Sequence, residues 1–278
     1  VTITTGTMAA TKDVALSGGL STVDITLTVD ATSITGASTD VQAITTGSGV
    51  DTVTFTGDAT YVGVSTAGAQ GTISISTGAG DDTISVTVGT LIADSSTVSG
   101  QAITITGGTG KDTITKVGVN SDVALGVAHF AVSAGHSTAA SYDEITGFDE
   151  ATASTFSDGL DFSGTAAIGT LTSTDYGVIA SHSITAGVAL FDDASSYSTE
   201  LIISAANIDD VLGYLAANTS TNDVIAFAYD DNANGSNDST MVYHNGTTDS
   251  LVLLTDVTGA DALITTNASA GTGDIFIA

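Results

Sequence analysis

The stretch "GAGDDTISVTVG" at residues 78–89 places a Gly-x-Gly-x-Asp turn directly before a run of alternating apolar and polar residues. Glycine fits where the backbone turns through positive φ or where a second backbone comes close. Alternation of Val or Ile with Thr or Ser is typical of a β-strand with one buried and one exposed face. The stretch therefore predicts a tight turn that leads into a strand.

Nearly the same string occurs twice more, as "GSGVDTVTFTG" from residue 47 and "GTGKDTITKVG" from residue 108. The shared aspartates are Asp51, Asp82 and Asp112, at spacings of 31 and 30 residues. Spacing this even indicates structural units that stack on one another. The repeats predict an N-terminal parallel β-solenoid of three to four coils, each of about 30 residues, in which the turns form a column.

The organisation of the chain changes near residue 118, where the repeat ends and aromatic residues become denser. We expect an all-β protein with the solenoid over residues 1–118 and a C-terminal β-rich capping and assembly domain over residues 119–278. One short helix is predicted over residues 204–218. It would begin with Ser204 as N-cap, end at Asn218 and bury one face: Ile208, Val211, Leu212 and Leu215.

The charge of the chain limits its partners. It has 31 acidic residues against 3 Lys and Arg together, and its net charge is -28. Nucleic acid is excluded, because three lysines and no arginine are too few to neutralise a run of phosphates or to read bases. No apolar run reaches the length of a membrane-spanning helix, so no membrane span is expected. Cations are the natural partners of a chain with this negative charge.

The chemistry of the turns suggests which cation. Tight glycine turns direct backbone carbonyls into a small space, and an aspartate two residues later faces the same space. Ca²⁺ takes six to eight oxygen ligands of these kinds, although Gly and Asp are also common in ordinary turns. The candidate ligands in the three turns are Gly47, Gly49, Asp51, Gly78, Gly80, Asp81, Asp82, Gly108, Gly110 and Asp112.

These turns resemble the calcium-binding repeats-in-toxin (RTX) family, whose nonapeptide reads Gly-Gly-x-Gly-x-Asp-x-apolar-x. "GGTGKDTIT" at 107–115 matches it fully, whereas "TGSGVDTVT" at 46–54 and "TGAGDDTIS" at 77–85 have Thr in place of the first Gly. The resemblance implies Ca²⁺ bound by the glycine carbonyls and the aspartate side chains. The family's nonapeptides run back to back, whereas here they are about 30 residues apart.

A second resemblance covers "FAVSAGHST", "YDEITGF" and "DGLDFSG" within residues 130–164, which look like the segment that closes the repeat region in type I-secreted proteins. The extreme C-terminus, "GDIFIA", resembles an uncleaved type I secretion signal. The residues at characteristic positions of the closing segment are Asp143, Phe148, Asp158, Leu160, Asp161 and Phe162. Three of them are further candidate calcium ligands: Asp143, Asp158 and Asp161.

A third acidic segment is "DDNANGSND" at residues 230–238. Asp230, Asn232 and Asn234 occupy the first, third and fifth positions of an EF-hand-like loop, and Asp238 is a further candidate ligand. The twelfth position, where such loops have Glu, is Met241. A polar hairpin loop is the alternative interpretation.

No catalytic motif is present, and the four histidines show no metal-ligand spacing. We therefore expect a structural protein and not an enzyme. The resemblances and the composition together favour a secreted protein of the bacterial cell surface, as the C-terminal part of a surface-layer (S-layer) protein that folds and assembles into a lattice on binding Ca²⁺. The implied partners are further copies of itself and the type I secretion machinery, with a cell-surface polysaccharide as another candidate.

Two alternatives remain open from the sequence. The chain would also fit a calcium-stabilised fragment of a large type I-secreted adhesin. It would equally fit the repeat and secretion tail of an exported hydrolase or toxin.

Overall fold

The computed structural model describes residues 2–4, 14–19, 22–31, 41–57, 72–88, 103–117, 128–150, 157–162, 166–265 and 274–278. The described residues are mostly β-strand, as expected, with one helix. The strands up to residue 162 are β1 (Thr2–Thr4), β2 (Val14–Ser17), β3 (Thr26–Ala31), β4 (Val41–Thr45), β5 (Thr52–Gly57), β6 (Thr72–Ala79), β7 (Thr83–Val88), β8 (Ile103–Thr109), β9 (Thr113–Val117), β10 (Ala128–Val132), β11 (Asp143–Thr146) and β12 (Gly159–Phe162). The later elements are β13 (Ala167–Ile168), β14 (Ser181–Thr185), β15 (Val188–Asp192), α1 (Ile208–Asn218), β16 (Asp223–Tyr229), β17 (Ser239–His244), β18 (Ser250–Thr255), β19 (Leu263–Ile264) and β20 (Asp274–Ile277).

The first twelve strands form two parallel sheets, which we call the parallel stack. One sheet has the order β1-β3-β5-β7-β9-β11 and the other β12-β10-β8-β6-β4-β2, so successive strands alternate between the sheets. All pairs within these two runs are parallel. The sequence repeat ends near residue 118, yet the alternation of strands continues through β10, β11 and β12.

The register of the stack places like residues over one another. In the odd-numbered sheet Val53 pairs with Ile84, and Ile84 pairs with Ile114. In the even-numbered sheet Ile44 pairs with Ile75 in the same manner. All five side chains are buried, because the strand period of two sends every second residue into the core.

The strands after residue 166, which we call the C-terminal region, extend both sheets of the stack. Strand β18 pairs with β11 in parallel, and β17 and β16 follow it as antiparallel neighbours. Strand β20 pairs antiparallel with β12 at the end of the other sheet. The residues "DIFI" of β20, part of the predicted secretion signal, are all buried.

Strands β16, β17 and β18 are covered on both faces. One face adds to the core of the parallel stack, and the other packs beneath α1. The first face carries Val224, Ala226, Val242, Val252 and Leu254. The second face carries Ile225, Phe227, Met241, Tyr243, Leu251 and Leu253, against Val211, Tyr214 and Leu215 of the helix.

Helix α1 begins later than the sequence predicts. It starts at Ile208 with Asn207 as N-cap, and not after Ser204, although it ends at Asn218 as expected. The Ser204 carbonyl already accepts the N–H groups of Asn207 and Ile208 (3.1 and 3.0 Å), so a turn precedes the helix there. Val211 and Leu215 lie on its buried face, as predicted. At 11 residues α1 is too short to cross a membrane, and the described residues contain no longer apolar helix.

Candidate functional site

The glycines of the three turns stack directly on one another. Gly78, Gly80, Gly108 and Gly110 all have positive φ, between 99° and 133°. A Cβ atom at Gly78 would overlap the Gly47 carbonyl oxygen, and one at Gly108 would overlap that of Gly78. Each carbonyl therefore occupies the space that a side chain would need in the next turn, which restricts these positions to glycine.

The aspartates beside these turns form a buried ladder of hydrogen bonds. Asp82 Oδ1 accepts the backbone N–H of Asp51 (2.7 Å), and Asp112 Oδ1 accepts that of Asp82 (2.9 Å). Asp143 Oδ1 accepts the N–H of Asp112 (3.0 Å) and adds a fourth aspartate to the ladder. We call Asp51, Asp82, Asp112 and Asp143 the aspartate column; each is at most 5% exposed.

Asp143 joins this column although no glycine pair precedes it. Its 31-residue distance from Asp112, within "YDEIT", is the signal that would have assigned it to the repeat. In place of a glycine turn, Ser137 holds Asp143. Its hydroxyl accepts the Asp143 N–H (2.7 Å) and donates to the Leu251 carbonyl.

The second carboxylate oxygens of the column differ in their contacts. Asp51 Oδ2 accepts the N–H of Gly47 (3.2 Å). Asp82 Oδ2 and Asp112 Oδ2 are buried without a hydrogen-bond partner. The Thr77 hydroxyl lies beside Asp82 but donates its proton to the Gly107 carbonyl (2.8 Å). Two buried oxygens of the column are thus open to a proton or a cation.

Burial makes the charged form of these carboxylates costly. It raises the pKa of Asp82, and it raises that of Asp112 to about 6, with further contributions from neighbouring acids. Burial and the Asp112 charge together raise the pKa of Asp143 to about 8. In water without metal ions, Asp82, Asp112 and Asp143 therefore hold protons at higher pH values than ordinary aspartates do.

Threonine replaces the first glycine of the nonapeptide for a structural reason. Thr46 Oγ1 donates to the carbonyl of Thr77, and Thr77 Oγ1 donates to that of Gly107, both at 2.8 Å. Each hydroxyl thereby links its own turn to the next. At Gly107 the carboxylate of Asp112 fills the space where a side chain would lie.

Asp81 lies outside the aspartate column. Its side chain is exposed, and its Oδ1 accepts the backbone N–H of Lys111 (2.9 Å) from the next turn. Lys111 in turn forms a surface ion pair with Glu144 (2.6 Å).

Asp158 contacts a lysine. Lys116 Nζ lies 2.8 and 2.7 Å from its two carboxylate oxygens and 2.6 Å from Asp149 Oδ2. The backbone N–H groups of Ala128 and Asp149 also donate to Asp158, at 2.7 and 2.9 Å. We call Lys116, Asp149 and Asp158 the Lys116 cluster. Sequence reasoning missed it because Lys116 and Asp158 are 42 residues apart.

Asp161 lies on β12, where it pairs with Asp274 of β20. Asp274 Oδ1 is 3.2 Å from Nδ1 of the fully buried His129. Burial and the neighbouring Asp274 raise the pKa of Asp161. Asp161 therefore lies on a strand that has β10 on one side and β20 on the other, and not in the glycine turns.

The loop between β16 and β17 brings its four candidate ligands together. Asp230 accepts the N–H groups of Asn234 (3.0 Å) and Gly235 (2.8 Å). The side-chain amides of Asn232 and Asn234 both donate to Asp238 Oδ2. These contacts make a hairpin loop held by its own polar side chains.

The described residues contain no group of three or more His, Cys, Asp and Glu side chains arranged to hold a metal ion. Ligands for a cation at the aspartate column would therefore include backbone carbonyls. Comparison with protein-family models, curated proteins and solved structures gave no match for this chain. The assignment of function consequently rests on the residues and their geometry.

Proposed function

We propose that this chain is a calcium-binding structural segment of a bacterial cell-surface protein. In this proposal the parallel stack is a β-solenoid, and its glycine turns and aspartate column bind Ca²⁺. The observation that carries the proposal is the buried Oδ2 atom of Asp112, which has no hydrogen-bond partner and lies in a column of carboxylates beside stacked glycine turns.

The charge of the column favours a cation. No lysine contacts the side chains of Asp51, Asp82 or Asp112 in the described hydrogen bonds and ion pairs, and the chain carries a net charge of -28. Buried carboxylates of one sign repel one another unless they are protonated or bound to a cation. Ca²⁺ accepts both carboxylate and carbonyl oxygens, which are the groups present there.

Binding would also stabilise the folded chain. A ligand that binds only the folded state adds about 2.7 kcal/mol to the free energy of unfolding when its concentration is one hundred times Kd. The chain would then be less stable where Ca²⁺ is scarce and more stable outside the cell. This difference would suit a protein that is exported before it folds.

The S-layer assignment depends on the resemblance to type I-secreted proteins and on the acidic surface, which Ca²⁺ would bridge between copies. An adhesin fragment and the repeat tail of an exported hydrolase or toxin use the same turns without forming a lattice. Light scattering after size exclusion, in chelator and then in millimolar Ca²⁺, distinguishes the S-layer protein from the other two. Growth into large assemblies favours the S-layer, and a monomer that only becomes more compact favours the other two.

Calorimetric titration with Ca²⁺ tests the binding itself. We expect the wild-type chain to bind Ca²⁺ and Asp112→Asn to lose heat of binding or affinity, because the amide offers one neutral oxygen in place of a carboxylate. Asp193→Asn, the same change at an exposed aspartate, is the matched control and should bind like the wild type. Absence of binding by the wild type, or equal binding by Asp112→Asn, would contradict the proposal.

A further inference from the structure

The Lys116 cluster places an amine and a carboxylate in the core of the parallel stack. Lys116 lies on β9 in register with Val86 of β7, at a position where the alternation of the strand calls for an apolar side chain. Its side chain is 2% exposed and that of Asp158 is 0% exposed. A buried ion pair is a poor source of stability, since desolvation offsets much of its attraction. The cluster therefore calls for another explanation.

We propose that Lys116 and Asp158 form an intramolecular amide cross-link, with Asp149 as the proton carrier. Nζ of Lys116 attacks Cγ of Asp158, the Nζ–Cγ bond forms and one Cγ–O bond breaks. The departing oxygen leaves as water with two protons from the ammonium group. The step needs no oxidant, reductant or further reactant, and it does not depend on calcium binding.

Proximity supports this step. Nζ lies within 2.8 Å of both oxygens of Asp158 before any reaction. Reacting groups that are held together and correctly oriented behave as though their concentration were on the order of 10⁵ M or more. Water is largely excluded from the pair, which favours the condensed product over the separate amine and acid.

The backbone supports the charge that develops during the attack. A tetrahedral intermediate at Cγ carries negative charge on the oxygens of Asp158. The N–H groups of Ala128 and Asp149 already donate to those two oxygens, at 2.7 and 2.9 Å. Donors fixed before the reaction stabilise such charge without reorganising.

Asp149 provides the proton transfer. Burial alone lowers the pKa of Lys116, but the carboxylates of Asp158 and Asp149 reverse that shift and raise it, so the ammonium must lose a proton to an adjacent base. Asp149 Oδ2 is 2.6 Å from Nζ and its side chain is 30% exposed. It accepts the proton from Nζ, returns it to the leaving oxygen and ends unchanged.

The cross-link would join β9 to the segment just before β12. In the sheets, β9 lies beside β11, which pairs with β18, and β12 pairs with β20. A covalent bond there would hold the last turns of the stack together under mechanical load, which suits a structural protein.

Mass spectrometry of the purified 278-residue chain tests the cross-link. We expect the wild-type mass to be lower than that of the sequence by one water. Trypsin does not cleave after an acylated lysine, so the peptide "DTITK" (112–116) should be absent from a digest of the denatured wild type. Asp158→Ala removes the carboxyl group that would join Lys116, so a digest of this variant should contain the "DTITK" peptide.

Asp149→Asn is the matched variant, since it keeps both reacting groups and removes only the proton carrier. This variant should show the full mass of its sequence, or a mixture that changes slowly toward the mass that is lower by one water. A wild-type chain with the full sequence mass and a released "DTITK" peptide would overturn the cross-link. Complete cross-linking of Asp149→Asn at the wild-type rate would overturn the role of Asp149.

Discussion

In the parallel stack, β5 alternates between half-buried and buried residues along its whole length, whereas in the C-terminal region all six residues of β17 are buried. The two strands lie in the same sheet. They differ because α1 covers the outer face at β17, while the outer threonines of β5 have no helix over them among the described residues. Alternation in a sequence therefore indicates one covered face, and a continuous apolar run indicates two.

The two regions also differ in what their stability depends on. The stack contains the aspartate column, in which burial raises the pKa of Asp82, Asp112 and Asp143. The C-terminal region contains aromatic pairs, such as Phe191 with Phe227 and Phe191 with Tyr214, at centroid distances of 5.8 and 5.9 Å. We therefore expect pH and metal ions to act on the stack and large-to-small substitutions to act on both.

The largest effects should come from loss of a buried aromatic side chain in either region. Phe227→Ala and Phe55→Ala should each lower the free energy of unfolding by about 3 to 5 kcal/mol, through lost burial and a cavity. The β11–β18 and β12–β20 pairs join the regions, so each variant should shift one shared transition. Chemical denaturation followed by far-UV and near-UV circular dichroism measures this shift.

The near-UV signal reports mainly the C-terminal region, through Tyr214, Tyr229 and Tyr243. Far-UV dichroism reports the strands of both regions. Two separate transitions, each moved by only one of the variants, would show that the regions unfold independently.

A smaller effect should follow from adding a side chain to a stacked turn. Gly108→Ala puts a methyl group against the Gly78 carbonyl at a φ of 114°, and should cost about 3 kcal/mol. Gly259→Ala is the matched control, because Gly259 also has positive φ (72°) but no neighbouring atom within 4 Å of the added Cβ. It should cost about 1 kcal/mol. Thermal unfolding of both variants checks the difference, and equal losses would rule out carbonyl stacking as the reason for glycine.

The smallest effect should come from an exposed ion pair of the stack. Glu144→Gln removes the partner of Lys111, but the two side chains are 31% and 45% exposed. The free energy of unfolding should fall by at most about 0.5 kcal/mol. A much larger loss in denaturant unfolding would mean that exposed ion pairs contribute substantially to the stability of the stack.

The sequence predicts much of the parallel stack because its signals are local. Val53, Ile84 and Ile114 follow the strand period, and the even spacing of Asp51 and Asp82 indicates the stacked turns. The fourth member of the column, Asp143, follows no glycine pair. The resemblance names it as a candidate ligand, but only its 31-residue spacing from Asp112 indicates its place in the column.

Other features depend on contacts that are distant in the chain. Lys116 meets Asp158 only after β9 and the segment before β12 come together. The start of α1 depends on the turn before it, in which Asn207 Oδ1 accepts the Ser204 N–H (2.8 Å) and Asn207 becomes the N-cap. The C-terminal "GDIFIA" resembles a signal in sequence, but the burial of its residues 274–277 depends on pairing with β12, more than 100 residues earlier in the chain.

The stability of the chain as a function of pH, with and without Ca²⁺, tests the aspartate column most directly. The folded-state pKa values of Asp112 and Asp143, about 6 and about 8, lie above their ordinary value of 3.8. The folded chain therefore binds more protons than the unfolded chain, and in chelator its stability should fall as the pH rises from about 4 to about 8. Millimolar Ca²⁺ should restore stability most at pH 8, where the carboxylates are free to bind it. Identical curves with and without Ca²⁺ would contradict a calcium-binding column.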